Sequence, residues 1–257
     1  MREPAACAVD QHRTKEARRS TGPTLALLVL AKAPEAGRVK TRLCPPLTFA
    51  EAADLAAAAL LDTLGAVHAV RGGRVVVALA GGLSAAARAA ELAAELRGVA
   101  TRHQRGPDLG HRIAAAHGDV AGLLPGRPVL QLGMDTPQVE PGLLTEAAGP
   151  LRRGTADAVL GPAADGGWWA LGLRDPRAAV AIAGVPTSRD DTGERTAHAL
   201  RAAGLRVDLL PELTDVDTAA DAVVVARLAP RTRFAATVAG LPALYADPSP
   251  PVRSARC

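Results

Sequence analysis

The densest chemistry in this chain lies in one short stretch, Ala31-Lys32-Ala33-Pro34-Glu35-Ala36-Gly37-Arg38-Val39-Lys40-Thr41-Arg42-Leu43. The sequence uses 27 arginines and only three lysines, yet two of those lysines, Lys32 and Lys40, fall within this stretch. A compact ammonium on a flexible stem suits point contact with phosphate oxygens, and the planar fork of Arg42 suits bidentate contact. Lys32, Lys40 and Arg42 around Gly37 therefore read as a polyphosphate cradle, with a solvated charge cluster as the plainer alternative. No glycine immediately precedes Lys40 and no G-x-G-x-x-G occurs, so neither a Walker loop nor a dinucleotide fingerprint is present.

Two further segments place carboxylates where chemistry is expected. Asp135, in Gly133-Met134-Asp135-Thr136-Pro137, follows an apolar run directly. One carboxylate at a strand end suits a hard divalent cation, which binds through one or two carboxylates plus substrate phosphates. Asp215 and Asp217, in Asp215-Val216-Asp217-Thr218, can complete such a site, because alternate residues of an extended segment point to the same side. Helix capping is the alternative for Asp217. Two glycine-bearing segments, Gln104 to Gly110 and Asp165-Gly166-Gly167-Trp168-Trp169, allow close approach of backbone to a ligand. For Asp108 an ordinary helix cap is the plainer reading, and of the two adjacent tryptophans at most one lines a pocket while the other packs.

The elements that must position these residues follow from periodicity. Short apolar runs at 25–31, 74–80, 129–132, 158–160, 169–173 and 207–210 read as strands. Helical segments are expected at 49–70, 84–96, 109–123, 141–151, 192–203 and 219–228, several opened by Ser, Thr, Asp or Pro. This alternation predicts a three-layer α/β/α fold with a mostly parallel sheet, in which ligands bind beyond the carboxyl ends of the strands. Residues 1–23 and the Pro-rich 246–257 read as tails, leaving 24–245 as one folded domain.

In order along the chain, Ala31-Lys32-Ala33-Pro34 with Gly37 and Lys40-Thr41-Arg42-Leu43, Asp108-Leu109-Gly110, Gly133 to Pro137, Gly161-Pro162-Ala163 with Asp165-Gly166-Gly167, and Asp215 to Thr218 resemble a bacterial family of glycosyltransferases. That family has a glycosyltransferase-A-type fold and is also described as radical-SAM-associated. Lys40 to Leu43 and Asp215 to Thr218 are in addition similar to 2-phospholactate guanylyltransferase. The resemblance implies a nucleotide-diphospho-sugar transferase (GT-A) fold and a Mg²⁺ or Mn²⁺ cofactor held by Asp135 with Asp217 and Asp215. It implies phosphate contacts from Lys32, Gly37, Lys40 and Arg42, with Lys40 and Asp135 as the catalytic pair. It also implies base contacts from Gln104 and Gly106, and an acceptor pocket at Asp165, Gly166, Gly167 and Trp168. Departures from the family pattern are Met134 and Thr136 where Thr and Ser are expected, and two tryptophans after Gly167 where Tyr or Phe is usual. The implied partners are a nucleotide-sugar, or a nucleoside triphosphate, and a small-molecule acceptor. The implied activity is glycosyl transfer. Nucleotidyl transfer to a phosphorylated acceptor is the alternative, and a non-catalytic nucleotide-binding regulator a third reading.

Composition bounds the remaining classes. Hydrophobic residues make up 48% and charged residues 22% of 257, with mean hydropathy +0.11, which excludes a generally disordered chain. The net charge of +4 is concentrated at the ends, and residues 24–246 carry 23 basic against 22 acidic side chains. Without a clustered basic face, and with aromatics at 2%, nucleic-acid binding is not expected. Three scattered cysteines, Cys7, Cys44 and Cys257, suggest neither disulfides nor zinc, and a reducing, cytoplasmic setting is expected. His111 and His117, six apart on different helical faces, read as surface residues. No apolar run is long enough to span a membrane. Arg18-Arg19 ahead of residues 25–31 loosely imitates a twin-arginine signal, but Lys32 falls inside its would-be cleavage site and the run serves better as a buried strand.

Overall fold

The computed structural model describes residues 25–245; Thr24 and both expected tails, 1–23 and 246–257, lie outside the described residues. Seven strands form one sheet: β1 (Leu25–Lys32), β2 (Gly73–Ala80), β3 (Ala100–His103), β4 (Val129–Leu132), β5 (Ala158–Pro162), β6 (Trp168–Leu173) and β7 (Val207–Leu209). Their spatial order is β3-β2-β1-β4-β6-β5-β7. Only β6 runs antiparallel to its neighbours, β4 and β5, so the sheet is mostly parallel as expected.

Continuous apolar strands follow from cover on both faces. Leu25, Leu27, Val29 and Ala31 of β1 pack toward α1 (Phe49–His68), whereas Ala26 and Leu28 pack toward α3 (Leu109–Leu123). The Ala-rich α1 is itself buried on two sides. Ala57, Leu60 and Leu64 face the sheet, while Ala52, Leu55 and Ala59 meet Val225 of α7 (Ala219–Leu228) and Phe234 and Val238 of α8 (Arg233–Ala239). Small side chains allow this close double packing. The helix starts at Thr48, which accepts from the Glu51 amide while the Glu51 carboxylate accepts from the Thr48 amide.

Local physics explains the differences from the periodicity reading. The stretch 141–151 is not one helix but two, α4 (Pro141–Ala147) and α5 (Gly149–Arg153), because Pro150 cannot donate within a continuous helix. The expected helix 84–96 is shortened to α2 (Ala89–Glu95) behind a 3₁₀ turn at Leu83–Ala85. Strand β3 was not anticipated. It lies at the sheet edge with Thr101, Arg102 and His103 exposed, so it carries no apolar signature. The 3₁₀ segment Pro176–Ile182 and α8 were missed as well, while α6 (Thr192–Ala202) falls where expected.

His117 corrects the surface reading. It is fully buried on α3, its Nε2 lies 2.9 Å from Oε1 of Gln131 on β4, and its Nδ1 has no partner. Burial holds its pKa down to about 4, against the opposing effect of the Gln131 bond. The folded protein thus binds this proton less readily than the unfolded chain, and stability falls as pH drops from about 6.5 toward about 4. Asp215, pushed up to about 7, has the opposite slope, so the effect must be read by difference. We predict that lowering the pH from 7 to 5 destabilises the wild type by about 2 kcal/mol more than a His117→Phe variant. Urea unfolding at both pH values checks this, and equal pH dependence would mean that His117 titrates normally.

Candidate functional site

Beside the exchange of β5 and β6, chain order and sheet order diverge at β1. From β1 the chain moves outward through β2 to β3, then returns to the other side of β1 to form β4. A crevice opens at the carboxyl ends of strands flanking such a switch. A cavity of about 670 Å³ lies there, lined by Leu30 to Lys32 at the end of β1, Ala80 at the end of β2, and Gly133 to Thr136 after β4.

Two long-range bonds bring the acidic segments together. The Val216 amide donates to the Asp135 carbonyl at 3.0 Å, and the Gln138 side-chain amide donates to the Thr214 carbonyl at 2.7 Å. Thr218 caps α7 in a box with Asp221, which leaves the Asp217 carboxylate free of any capping duty. That carboxylate meets the first loop instead. The Lys40 ammonium sits 2.9 Å from Asp135 Oδ1 and 3.1 Å from Asp217 Oδ1, and Arg42 reaches Asp217 Oδ2 at 3.1 Å. Lys40 adopts a left-handed backbone, φ 48°, uncommon for a residue with a side chain, and its side chain is 11% exposed. Burial pulls its pKa down, but Asp135 and Asp217 outweigh that and raise the pKa above the ordinary lysine value.

Asp215 lies beside this knot without a cation of its own. Its Oδ1 is buried with no partner, and burial first, then the charges of Asp135 and Asp165, push its pKa up to about 7 despite Lys40. Asp135, Asp165, Asp215 and Asp217 all line the cavity. Among the described residues, no group of three or more His, Cys, Asp or Glu is already arranged around a metal position. Lys40 occupies the space between Asp135 and Asp217. The donor chemistry nevertheless suits a hard cation: carboxylate oxygens alone, one of them orphaned, in mutual repulsion that a divalent charge would relieve.

Of the other expected site residues, Lys32, Arg42, Gln104, Asp165, Gly167 and Trp168 line the cavity, whereas Gly37, Lys40, Gly106 and Gly166 do not. Lys32 donates to the Arg38 carbonyl at 2.6 Å, which folds the first loop back on itself. Met134, one of the departures from the family pattern, accepts the Lys32 amide on its sulfur at 3.3 Å. Gln104 spends its amide nitrogen on the carbonyls of Ala31 and Ala78, leaving only its oxygen for a ligand. Trp169 is buried with its indole N–H donating to the Pro211 carbonyl, and Trp168 is the more open of the pair.

Gly166, at φ +83°, admits the loop 187–190, since a Cβ there would run into the Asp190 carbonyl. That loop, with Ser188 also left-handed at φ 61°, adds Arg189 and Asp190 to the cavity wall; Arg112 and Gln131 line it from α3 and β4. None of these four was singled out by the sequence reading. Gln131 alone left a signal, a polar residue inside the otherwise apolar run 129–132.

Residues 63–189 match the family described as "Uncharacterized protein conserved in bacteria (DUF2064)". A search of curated proteins found no match. Among solved structures, the chain is similar to a protein of Desulfovibrio desulfuricans G20 whose assignment as a nucleotide-diphospho-sugar transferase is provisional. The two share 28% identity over 86% of this chain and 96% of that one, with a TM-score of 0.75. It also superimposes on 4-diphosphocytidyl-2C-methyl-D-erythritol synthase, at 14% identity over 81% and 99% of the two chains and a TM-score of 0.55. A third likeness is to CMP:2-keto-3-deoxy-manno-octonic acid synthetase complexed with CTP, at 14% identity over 80% and 99% and a TM-score of 0.52. The fold is that of the nucleotide-diphospho-sugar transferases. No helix among the described residues is long and apolar enough to cross a membrane.

Replacing Lys40 by methionine leaves Asp135 and Asp217 facing one another. Both are about a third exposed, so water re-solvates them and the cost stays near 2 kcal/mol, below that of breaking a fully buried pair. We predict that Mg²⁺ raises the melting temperature of Lys40→Met more than that of the wild type. An identical Mg²⁺ response in calorimetric melts would mean that ammonium and cation do not compete.

Proposed function

We propose that this chain is a divalent-cation-dependent transferase acting on a nucleotide-activated donor, and that the donor is a nucleotide-sugar whose glycosyl group passes to a small-molecule acceptor. One observation carries this reading: Lys32 and Arg42 share a single strand-end cavity with the carboxylates of Asp135, Asp215 and Asp217. Cations for phosphate oxygens thus stand next to oxygens for a metal. The fold shared with the Desulfovibrio desulfuricans protein supports the donor class.

In glycosyl transfer the bond from the anomeric carbon to phosphate breaks, a bond from that carbon to an acceptor oxygen forms, and the acceptor hydroxyl loses its proton. Mg²⁺ or Mn²⁺ held by Asp135, Asp217 and Asp215 would neutralise the diphosphate that leaves. Lys32 and Arg42 bind the phosphate oxygens and hold the donor in register. Lys40, set between Asp135 and Asp217, holds the two carboxylates together until the cation takes its place. Asp165, Gly167 and Trp168, with the loop 187–190, form the wall where the acceptor enters.

A second reading, nucleotidyl transfer of the guanylyltransferase kind, draws on a different observation. The acids come from two distant segments in place of a D-x-D after β4. The fold shared with two synthases that handle cytidine nucleotides supports it as well. The two reactions release different products, a nucleoside diphosphate or pyrophosphate. A non-catalytic regulator would release neither.

We predict that Asp135→Asn loses Mg²⁺-dependent nucleoside diphosphate binding by at least tenfold while melting within a few degrees of the wild type, because a strand-end carboxylate is a ligand and not a core group. Isothermal calorimetry checks this, and normal binding by the variant would remove Asp135 from the site.

A further inference from the structure

Four buried side-chain atoms of the described residues have no hydrogen-bond partner, and three of them, Thr136 Oγ1, Gln138 Oε1 and Asp215 Oδ1, fall on the two segments that form the acidic wall. The fourth, His117 Nδ1, belongs to the interior pair with Gln131. A buried polar atom left unpaired costs stability, so three of them at one joint call for a common cause.

The joint itself brings these residues together. The Val216 amide meets the Asp135 carbonyl and the Gln138 side-chain amide meets the Thr214 carbonyl, so the two segments pass one another in opposite directions. Thr136 and Asp215 lie between these two bonds, one on each segment, and Gln138 closes the far end. Thr136 is only 2% exposed, which shuts its hydroxyl away from bulk solvent. None of the three orphaned atoms bonds to another, although all three belong to this one joint.

Their chemistry is that of a water site. The Gln138 oxygen and the Asp215 oxygen accept, while the Thr136 hydroxyl can donate. One water that gives a hydrogen to each acceptor and takes one from the hydroxyl satisfies all three atoms at once, and about three bonds is the usual number for a buried water. A hard cation would need about six oxygens, more than this set supplies.

The grip on the inner oxygen of Asp215 fixes what the outer one does. Asp215 has no hydrogen bond to a described residue, and its Oδ2 is not among the sealed atoms, so Oδ2 is the oxygen that opens on the cavity. We propose that one buried water bridges Thr136, Gln138 and Asp215, and that Thr136 and Gln138 act through it as positioning residues that hold the Asp215 carboxylate with Oδ2 turned to the cavity. The water site stands independently of what the cavity binds, whereas its service to a metal rests on the proposed function.

Crystal structures of the wild type, Thr136→Ser and Thr136→Val, at a resolution that shows ordered water, test the first part. The wild type and Thr136→Ser show one peak within about 3 Å of all three atoms, and Thr136→Val, which keeps the shape but removes the donor, loses it. Calorimetric titration of Mn²⁺ in the presence of pyrophosphate tests the second. Thr136→Val binds Mn²⁺ at least fivefold more weakly while melting within a few degrees of the wild type, and Thr136→Ser binds as the wild type does. A merely structural role would move the melt and leave the affinity alone. No peak in the wild type, a peak unchanged in Thr136→Val, or contacts shorter than about 2.5 Å, which mark a cation, overturns the water. Loss of the peak with unchanged Mn²⁺ affinity overturns the positioning role. Failure of the wild type to bind Mn²⁺ with pyrophosphate overturns the proposed function and the positioning role with it, while the crystal structures still decide the water.

Discussion

The ammonium of Lys40 holds together three parts of the chain that have no sequence proximity: the loop after β1, the turn after β4 and the segment before α7. Without a positive charge between them, Asp135 and Asp217 would repel, while the Val216 and Gln138 bonds would still join their segments. The left-handed backbone at Lys40 and the poor exposure of its side chain show a residue fitted into place by its surroundings. A divalent cation at these carboxylates would meet the same oxygens that the ammonium holds.

Asp215 shows what that balance leaves over. It is drawn into the same wall by the bond between Val216 and the Asp135 carbonyl, yet among the described residues it forms no ion pair, and its raised pKa is the electrostatic signature. Across the cavity, Gly166 and the loop 187–190 supply a wall of a different kind, built by backbone contact where a side chain would collide. Gln131, held by the buried His117, lines the same cavity from β4.

Much of the frame was legible in the sequence because burial on both faces leaves a plain record. Strands β1, β2 and β4 are continuous apolar runs, and their carboxyl ends could be located to within a residue. The edge strand β3 left no such record, since half of its environment is water. The turn at Pro150 and the 3₁₀ segment after Pro176 depend on local backbone limits that periodicity over a long window averages away.

Residue types and spacing by themselves determined six of the seven strands, the loops expected to carry chemistry, and the candidate groups Lys32, Arg42, Asp135, Asp215 and Asp217. What each group contacts was decided by the tertiary structure. Lys40 reads as a phosphate ligand in a row of cations, and its ammonium pairs with two carboxylates from distant segments. Gln104 looks like a base contact and spends its nitrogen on two strand carbonyls. His117 looks exposed and is buried against Gln131. The physical reason is common to all three: a polar side chain acts through its partner, and these partners lie on other elements of the fold, 14 to 177 residues away in sequence.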